Sequence, residues 1–305
     1  MKQYRIHIPL TAAFILVAVG IATIATRSIR GQSPAPPQKT ESLVKPTVLV
    51  PNANAARPMA PFAEASMQNI SLRIDLTWTF GSKPQHGWYL YDSLISQTFK
   101  IAFDASSPNF AGAIADWQKQ KNLGATGILD ENSWMALVSQ WQANRLKDKT
   151  PATPEQLLMA PSSEWFDPER EPQNRMVEKT TYEAYRQMLA AAIADPSLKL
   201  AHTSANDLAP TEKFFKLISG YRSREYQEKL RRESPGAGTA GLAINSPHFT
   251  GRALDLYVGG DPVDTRDSNR AIQVNTPVYK WLVRNAERFG FRPYFYEPWH
   301  WEYVK

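Results

Sequence analysis

The chain has 305 residues, 43% of them hydrophobic, with 9 tryptophans and no cysteine. That is enough apolar material for two modest domains. It excludes a disordered chain, and the missing thiols exclude cysteine-ligated metals, a disulfide framework and a cysteine nucleophile. The formal net charge is +6, but residues 1–70 hold seven basic side chains against Glu41 and Glu64, which leaves 28 basic against 27 acidic beyond them. The basic excess therefore belongs to the N-terminal tail and argues against a groove for nucleic acid.

Lys2 and Arg5 precede an uncharged, mostly apolar run from Pro9 to Thr26, followed by Arg27 and Arg30. Its length stands between a signal-peptide core and a membrane span, so residues 1–30 read as a signal anchor or a signal peptide. Either reading places the remainder outside the cytoplasm, in the periplasm or cell-wall space. Residues 31–70 carry seven prolines without sustained periodicity and read as a semi-rigid spacer.

The alternation Ile70, Leu72, Ile74, Leu76 predicts a strand running on to Phe80. Phe110, Ile114 and Trp117 then fall at helical spacing, Leu123-Gly124 ends that helix, and Asp130 is an N-cap for a second through Trp134, Leu137 and Val138. Residues 71–145 are thus a small, mostly helical domain, and 146–176, rich in Pro, Glu, Asp and Lys, an exposed connector.

From 177 onward, a helix starts at Thr180-Thr181 and ends at Pro196, a strand covers Phe214–Ile218, and Ser223 or Arg224 opens a charged helix. A further helix spans Pro277–Phe289, and Phe291–Val304 returns as a terminal strand. Helices and strands without regular parallel alternation predict an α+β fold with a small antiparallel sheet.

The chemistry is concentrated in two stretches. Ser246-Pro247-His248-Phe249-Thr250-Gly251-Arg252-Ala253-Leu254-Asp255 places an imidazole, a turn glycine and a carboxylate together, and Glu297-Pro298-Trp299-His300 adds a second of each acid and imidazole. Two His and one Asp with a spare Glu match the inventory of a catalytic zinc site. Of the other histidines, His7 lies in the N-terminal tail, and His86 and His202 have no acidic partner at recognisable spacing. Asp255 lies in the apolar run Leu254–Val258, where a carboxylate is costly unless paired or metal-bound. Glu297 is positioned as general base toward water and then general acid toward a leaving amine. Glu302 is a rival carboxylate, better suited to a supporting role.

Two resemblances follow from these motifs. The run F-x-x-x-I-x-x-W-Q to D-x-x-S-W-x-x-L, within 110–137, resembles the peptidoglycan-binding module of cell-wall hydrolases, which implies contact with wall glycan or peptide. S-G-Y-R-S-x-x-x-Q, S-x-H-x-x-G-x-A-x-D and E-P-W-H together resemble the VanY-type zinc D,D-carboxypeptidases of the LAS group, over roughly 177–305. That resemblance implies zinc on His248, Asp255 and His300 and Glu297 as catalytic acid/base. It also implies Arg222 on the substrate carboxylate or oxyanion, with Ser246 and Gln227 seating the peptide. A guanidinium suits that task independently, since it forks onto a carboxylate in two parallel hydrogen bonds. The expected activity is removal of a C-terminal D-alanine from peptidoglycan stem peptides. An L,D-carboxypeptidase or endopeptidase on the same centre, and a non-catalytic wall-binding protein, are the alternatives. Tyr294–Tyr296 and residues 197–213 are expected to border the cleft.

Overall fold

A computed structural model describes residues 61–305 except Asn206. The N-terminal apolar segment and nearly all of the spacer lie outside the described residues. Ala56–Lys305 form one compact unit, so the helical part and the C-terminal part share a body.

The helical part comprises α1 (Ala63–Asp75), the hairpin β1 (Thr77–Phe80) and β2 (Lys83–His86), α2 (Asp92–Phe99), α3 (Pro108–Gln120) and α4 (Glu131–Ala143). Local chemistry explains the helix starts. Ser107 caps α3 by accepting from the Asn109 N–H with Pro108 at the first position, and Asp130 caps α4 by accepting from the Ser133 N–H at 2.9 Å. The strand predicted from Ile70 begins only at Thr77. Residues 70–75 instead complete α1, with Ile70 and Ile74 one turn apart and half exposed. Asn69, fully buried, pins that helix by donating to the Gly127 carbonyl and accepting from the Leu129 N–H. The spacer accordingly ends before 63.

The segment 146–176 is more than an exposed connector. Its end strand β4 (Met176–Glu178) pairs with β3 (Leu157–Met159), and Trp165 is fully buried and bridges Leu217 at the edge of the main sheet. The C-terminal part continues with α5 (Lys179–Ile193), β5 (Leu217–Ser219), α6 (Arg224–Glu233), the single turn α7 (Gly238–Gly241) and β6 (Ala253–Leu256). It ends with α8 (Asp267–Asn275), α9 (Pro277–Asn285), β7 (Phe291–Pro293) and β8 (His300–Tyr303). Helix α8 was not anticipated. The terminal strand is in fact a hairpin, interrupted at 294–299. The main sheet is antiparallel in the order β5-β6-β8-β7, which makes the fold α+β.

The interruption between β7 and β8 joins the two parts. Phe295 inserts among Trp78, Phe80, Tyr91 and Trp141 of the helical part, with ring centroids 4.7–6.4 Å apart. The buried Arg270 on α8 donates to Tyr91, Gln85 and the Tyr296 carbonyl at the same seam. The motif residues Phe110, Ile114, Trp134 and Leu137 are fully buried in the shared core. Truncating an aromatic ring in such a core costs about 3–5 kcal/mol. Phe295→Ala is expected to lose stability on that scale in urea titration, with a single unfolding transition before and after substitution.

Candidate metal centre

Strand β6 carries the site. All four of its residues are buried, so Asp255 can be tolerated there only with compensating partners. Backbone register supplies them. Asp255 lies opposite His300 of β8 on one side and Ser219 of β5 on the other.

His248 arrives from a short 3₁₀ turn, Pro247–Thr250. The Ser246 hydroxyl caps it by accepting from the His248 N–H at 3.3 Å, and Pro247 presets its first residue. The turn closes at Gly251 with φ +67°, and a Cβ there would lie 2.8 Å from the Glu178 nitrogen. Only glycine therefore fits the bend that returns the chain into β6.

The histidine side chains are oriented by their outer nitrogens. His248 Nδ1 lies 2.7 Å from the Gly220 carbonyl oxygen, and a carbonyl can only accept, so Nδ1 carries the proton. Nε2 is left with a lone pair, 3.3 Å from Asp255 Oδ1. His300 Nε2 faces Glu302 Oε1 at 3.2 Å, while its Nδ1 lies 2.9 Å from Asp255 Oδ1. The donor atoms of His248, Asp255 and His300 all fall within 4.8 Å of one another. Lone pairs and a carboxylate converging on one point call for a cation, and two imidazoles plus one carboxylate are a donor set that suits a divalent transition metal. Among the described residues no other cluster of this kind occurs.

Electrostatics follow from the same contacts. Burial, aided by the positive charge of Arg222, lowers His248 to about 4, which keeps it neutral. Burial opposes ionisation of Asp255, but His248 and Arg222 overcome it and hold the carboxylate well below its usual range. Burial likewise disfavours a charged His300, yet hydrogen bonds to Asp255 and Glu302 raise it to about 9, so a cation at this point would bind His300 by displacing the Nδ1 proton. Burial pushes the Glu297 carboxyl up to about 8, with His300 opposing and Asp255 reinforcing the shift. Two carboxylic acids of one site are thus driven apart, one firmly ionised and one able to carry a proton near neutrality.

Glu297 is only 7% exposed, and its Oε2 lies 3.9 Å from His300 Nδ1. A tight backbone turn sets it there: the Glu297 N–H donates to the Tyr294 carbonyl, and its own carbonyl accepts from the His300 N–H. Arg222 approaches from the other side. Its Nη2 donates to Asp255 Oδ2 at 2.5 Å, its Nε to Ser219 Oγ at 2.8 Å and its Nη1 to Gln227 Oε1 at 3.3 Å. These contacts engage three of the five N–H groups of a guanidinium and leave two uncommitted.

The cleft encloses about 250 Å³ and is lined by Arg222, Ser246, His248, Asp255, Glu297 and His300, among others. Gln227 does not line it. Its amide is committed to Arg222 and to the Ala243 carbonyl, so the structure gives Gln227 the task of aiming the arginine, where contact with the peptide was expected. Ser246 does line the cleft, in addition to capping the turn of His248. Tyr294 borders the cleft, whereas Phe295 belongs to the seam with the helical part. None of the described residues of 197–213 lines it.

Among the cleft residues that escaped the sequence reading are two basic ones, Arg145 and Lys149, which follow α4. Arg145 meets Glu302 across 157 positions of sequence, a contact that leaves no local signal.

Residues 174–305 match the family model VanY, described as D-alanyl-D-alanine carboxypeptidase. Among solved structures, the chain is similar to the LdcB LD-carboxypeptidase, described as revealing the molecular basis of peptidoglycan recognition. Identity is 23%, with 52% of this chain and 71% of that one covered and a TM-score of 0.35. It is also similar to a mutant of VanY, the vancomycin-resistance D,D-pentapeptidase of a VanB-type cassette, in complex with Zn(II). Identity there is 19%, with 54% and 89% covered and a TM-score of 0.32. No curated protein matches the chain.

The donor set makes a direct prediction about metal content. Elemental analysis of the purified protein should find about one divalent transition metal per chain, as expected of a three-residue site. His248→Ala should reduce it to background, whereas His202→Ala should leave it unchanged.

Proposed function

We propose that this chain, VanY-like over residues 174–305, is a zinc-dependent peptidase that trims peptidoglycan stem peptides, most directly by removing a terminal D-alanine. The observation that carries the reading is the convergence of His248, Asp255 and His300 in one cleft with the buried Glu297 carboxyl and the partly uncommitted Arg222 fork. The family description supports the D,D specificity.

Zinc held by these three residues would supply Lewis acidity, which activates water near neutral pH and polarises a carbonyl. The protein's own groups supply the rest. Glu297 takes a proton from the attacking water and passes it to the leaving amine, a shuttle suited to a carboxyl whose affinity for protons is raised by burial. Arg222 is held by Ser219, Gln227 and Asp255, so its remaining N–H groups are preorganised to grip the peptide's terminal carboxylate or the developing oxyanion. Asp255 keeps both histidines in place and stays ionised while Glu297 exchanges its proton.

The same proposal includes export, with residues 9–26 as tether or signal, because the substrate lies outside the cytoplasm. It also includes residues 71–145 as a contact to wall glycan. Pelleting of the protein with purified sacculi, with and without excess soluble muropeptide, tests that contact.

Positioned general acid–base groups contribute about 10²–10⁴-fold to rate. Glu297→Ala should therefore lower turnover by that factor while keeping its zinc. Mass spectrometry of digested muropeptides should show loss of a single terminal alanine from pentapeptides. Products shortened at the next bond would favour the L,D-carboxypeptidase reading, and cleaved cross-links an endopeptidase.

A further inference from the structure

The metal centre has an outer support that comes from the helical part of the chain. Glu302 lies on β8 two positions after His300, so both side chains leave the same face of the strand. It is fully buried, and both of its oxygens are engaged. Oε1 accepts from His300 Nε2 at 3.2 Å and from Arg145 Nε at 3.0 Å, with Arg145 Nη2 closing a short ion pair on the same oxygen. Oε2 accepts from the Leu146 backbone N–H at 2.8 Å. Arg145 is fixed in turn, since its guanidinium stacks on the Tyr294 ring at 3.8 Å and its Nη1 contacts Gln142 of α4.

We propose that Arg145 is a positioning residue for the metal centre, acting through Glu302 on His300, and that the helical part is thereby a required component of the site. The proposal rests on the metal reading above.

The physical reason is the orientation of one imidazole. A histidine ligand binds through whichever nitrogen lacks a proton, and the hydrogen bond at the other nitrogen decides which that is. Glu302 fixes the proton on His300 Nε2 and turns Nδ1 toward Asp255. Glu302 can do so only while it is held still, which a buried carboxylate achieves against a fixed partner charge. Arg145 supplies that charge, and it is anchored by α4 and Tyr294. Without it, Glu302 keeps only the Leu146 N–H and His300 itself as partners, and His300 loses a firmly held restraint.

The test is zinc affinity of the full chain, measured by competition with a chelating dye, alongside thermal melting of the metal-free protein. Outer partners of ligating histidines typically govern metal affinity by about 10–100-fold. Arg145→Met, which keeps an unbranched apolar stem and removes the guanidinium, should weaken zinc binding by that factor. Arg145→Lys, which keeps the charge but lacks the fork, should recover part of the loss. Adding Glu302→Gln to Arg145→Met removes the unpaired charge, so the two losses should be smaller together than their sum. If Arg145→Met melts earlier yet binds zinc as tightly as the unsubstituted protein, the proposal is overturned and Arg145 is merely structural. If Arg145→Met does not fold, an unchanged zinc affinity for Arg145→Lys overturns it equally. A protein with all three groups intact that binds no zinc overturns the metal reading and this inference together, an outcome distinct from the first two.

Discussion

A carboxylate buried in the middle strand of a sheet has to be compensated, and the organisation of this protein follows from how Asp255 is. The strand on one side places His300 opposite it, and the strand on the other leads through Ser219 and Gly220 to Arg222. The turn that feeds β6 supplies His248. Because side chains alternate along a strand, a slip of one residue in the β6–β8 pairing would turn either Asp255 or His300 away from the centre. Register is therefore as much a part of the site as the ligands, and it is specified by the fully buried faces of β6 and β8.

The second dependence is between the two parts of the chain. The hairpin that ends in Glu297 is not a free loop, because Phe295 is clamped among tryptophan, tyrosine and phenylalanine rings of the helical part. Two positions further along, the acid–base role proposed for the Glu297 carboxyl requires it to be held to within a fraction of an ångström. An aromatic anchor two residues away is a means of holding it. The helical part, whatever it contacts outside the molecule, thus contributes rigidity to the site through hydrophobic packing and through the ion pair at Glu302.

Much of this was legible in the sequence, and the reasons are local. The spacing from His248 through Gly251 to Asp255 specifies a turn entering a buried strand, and Asp130 and Ser223 announce helix starts by capping chemistry. The misreadings arise where two periodicities coexist or where a partner is remote. Ile70, Leu72, Ile74 and Leu76 alternate as a strand would, but Asn69 is buried against Gly127 and Leu129, and that tertiary contact selects the helix. The aromatic run at 294–296 carried no indication that it faces the helical part, since its partners lie some two hundred positions earlier. Trp165 in a polar stretch and Gln227 within a charged helix likewise took their roles from residues that only the folded chain brings near.

The central claim is that His248, Asp255 and His300 bind one zinc ion between β6, β8 and the Pro247–Thr250 turn. Anomalous X-ray diffraction from crystals of the zinc-loaded protein, recorded across the zinc edge, tests it most directly. The account predicts one peak about 2.0–2.2 Å from His248 Nε2, His300 Nδ1 and an Asp255 oxygen, with Glu302 outside the coordination shell. A peak ligated by Glu297 or Glu302 in place of Asp255, or none at this cleft, would contradict it.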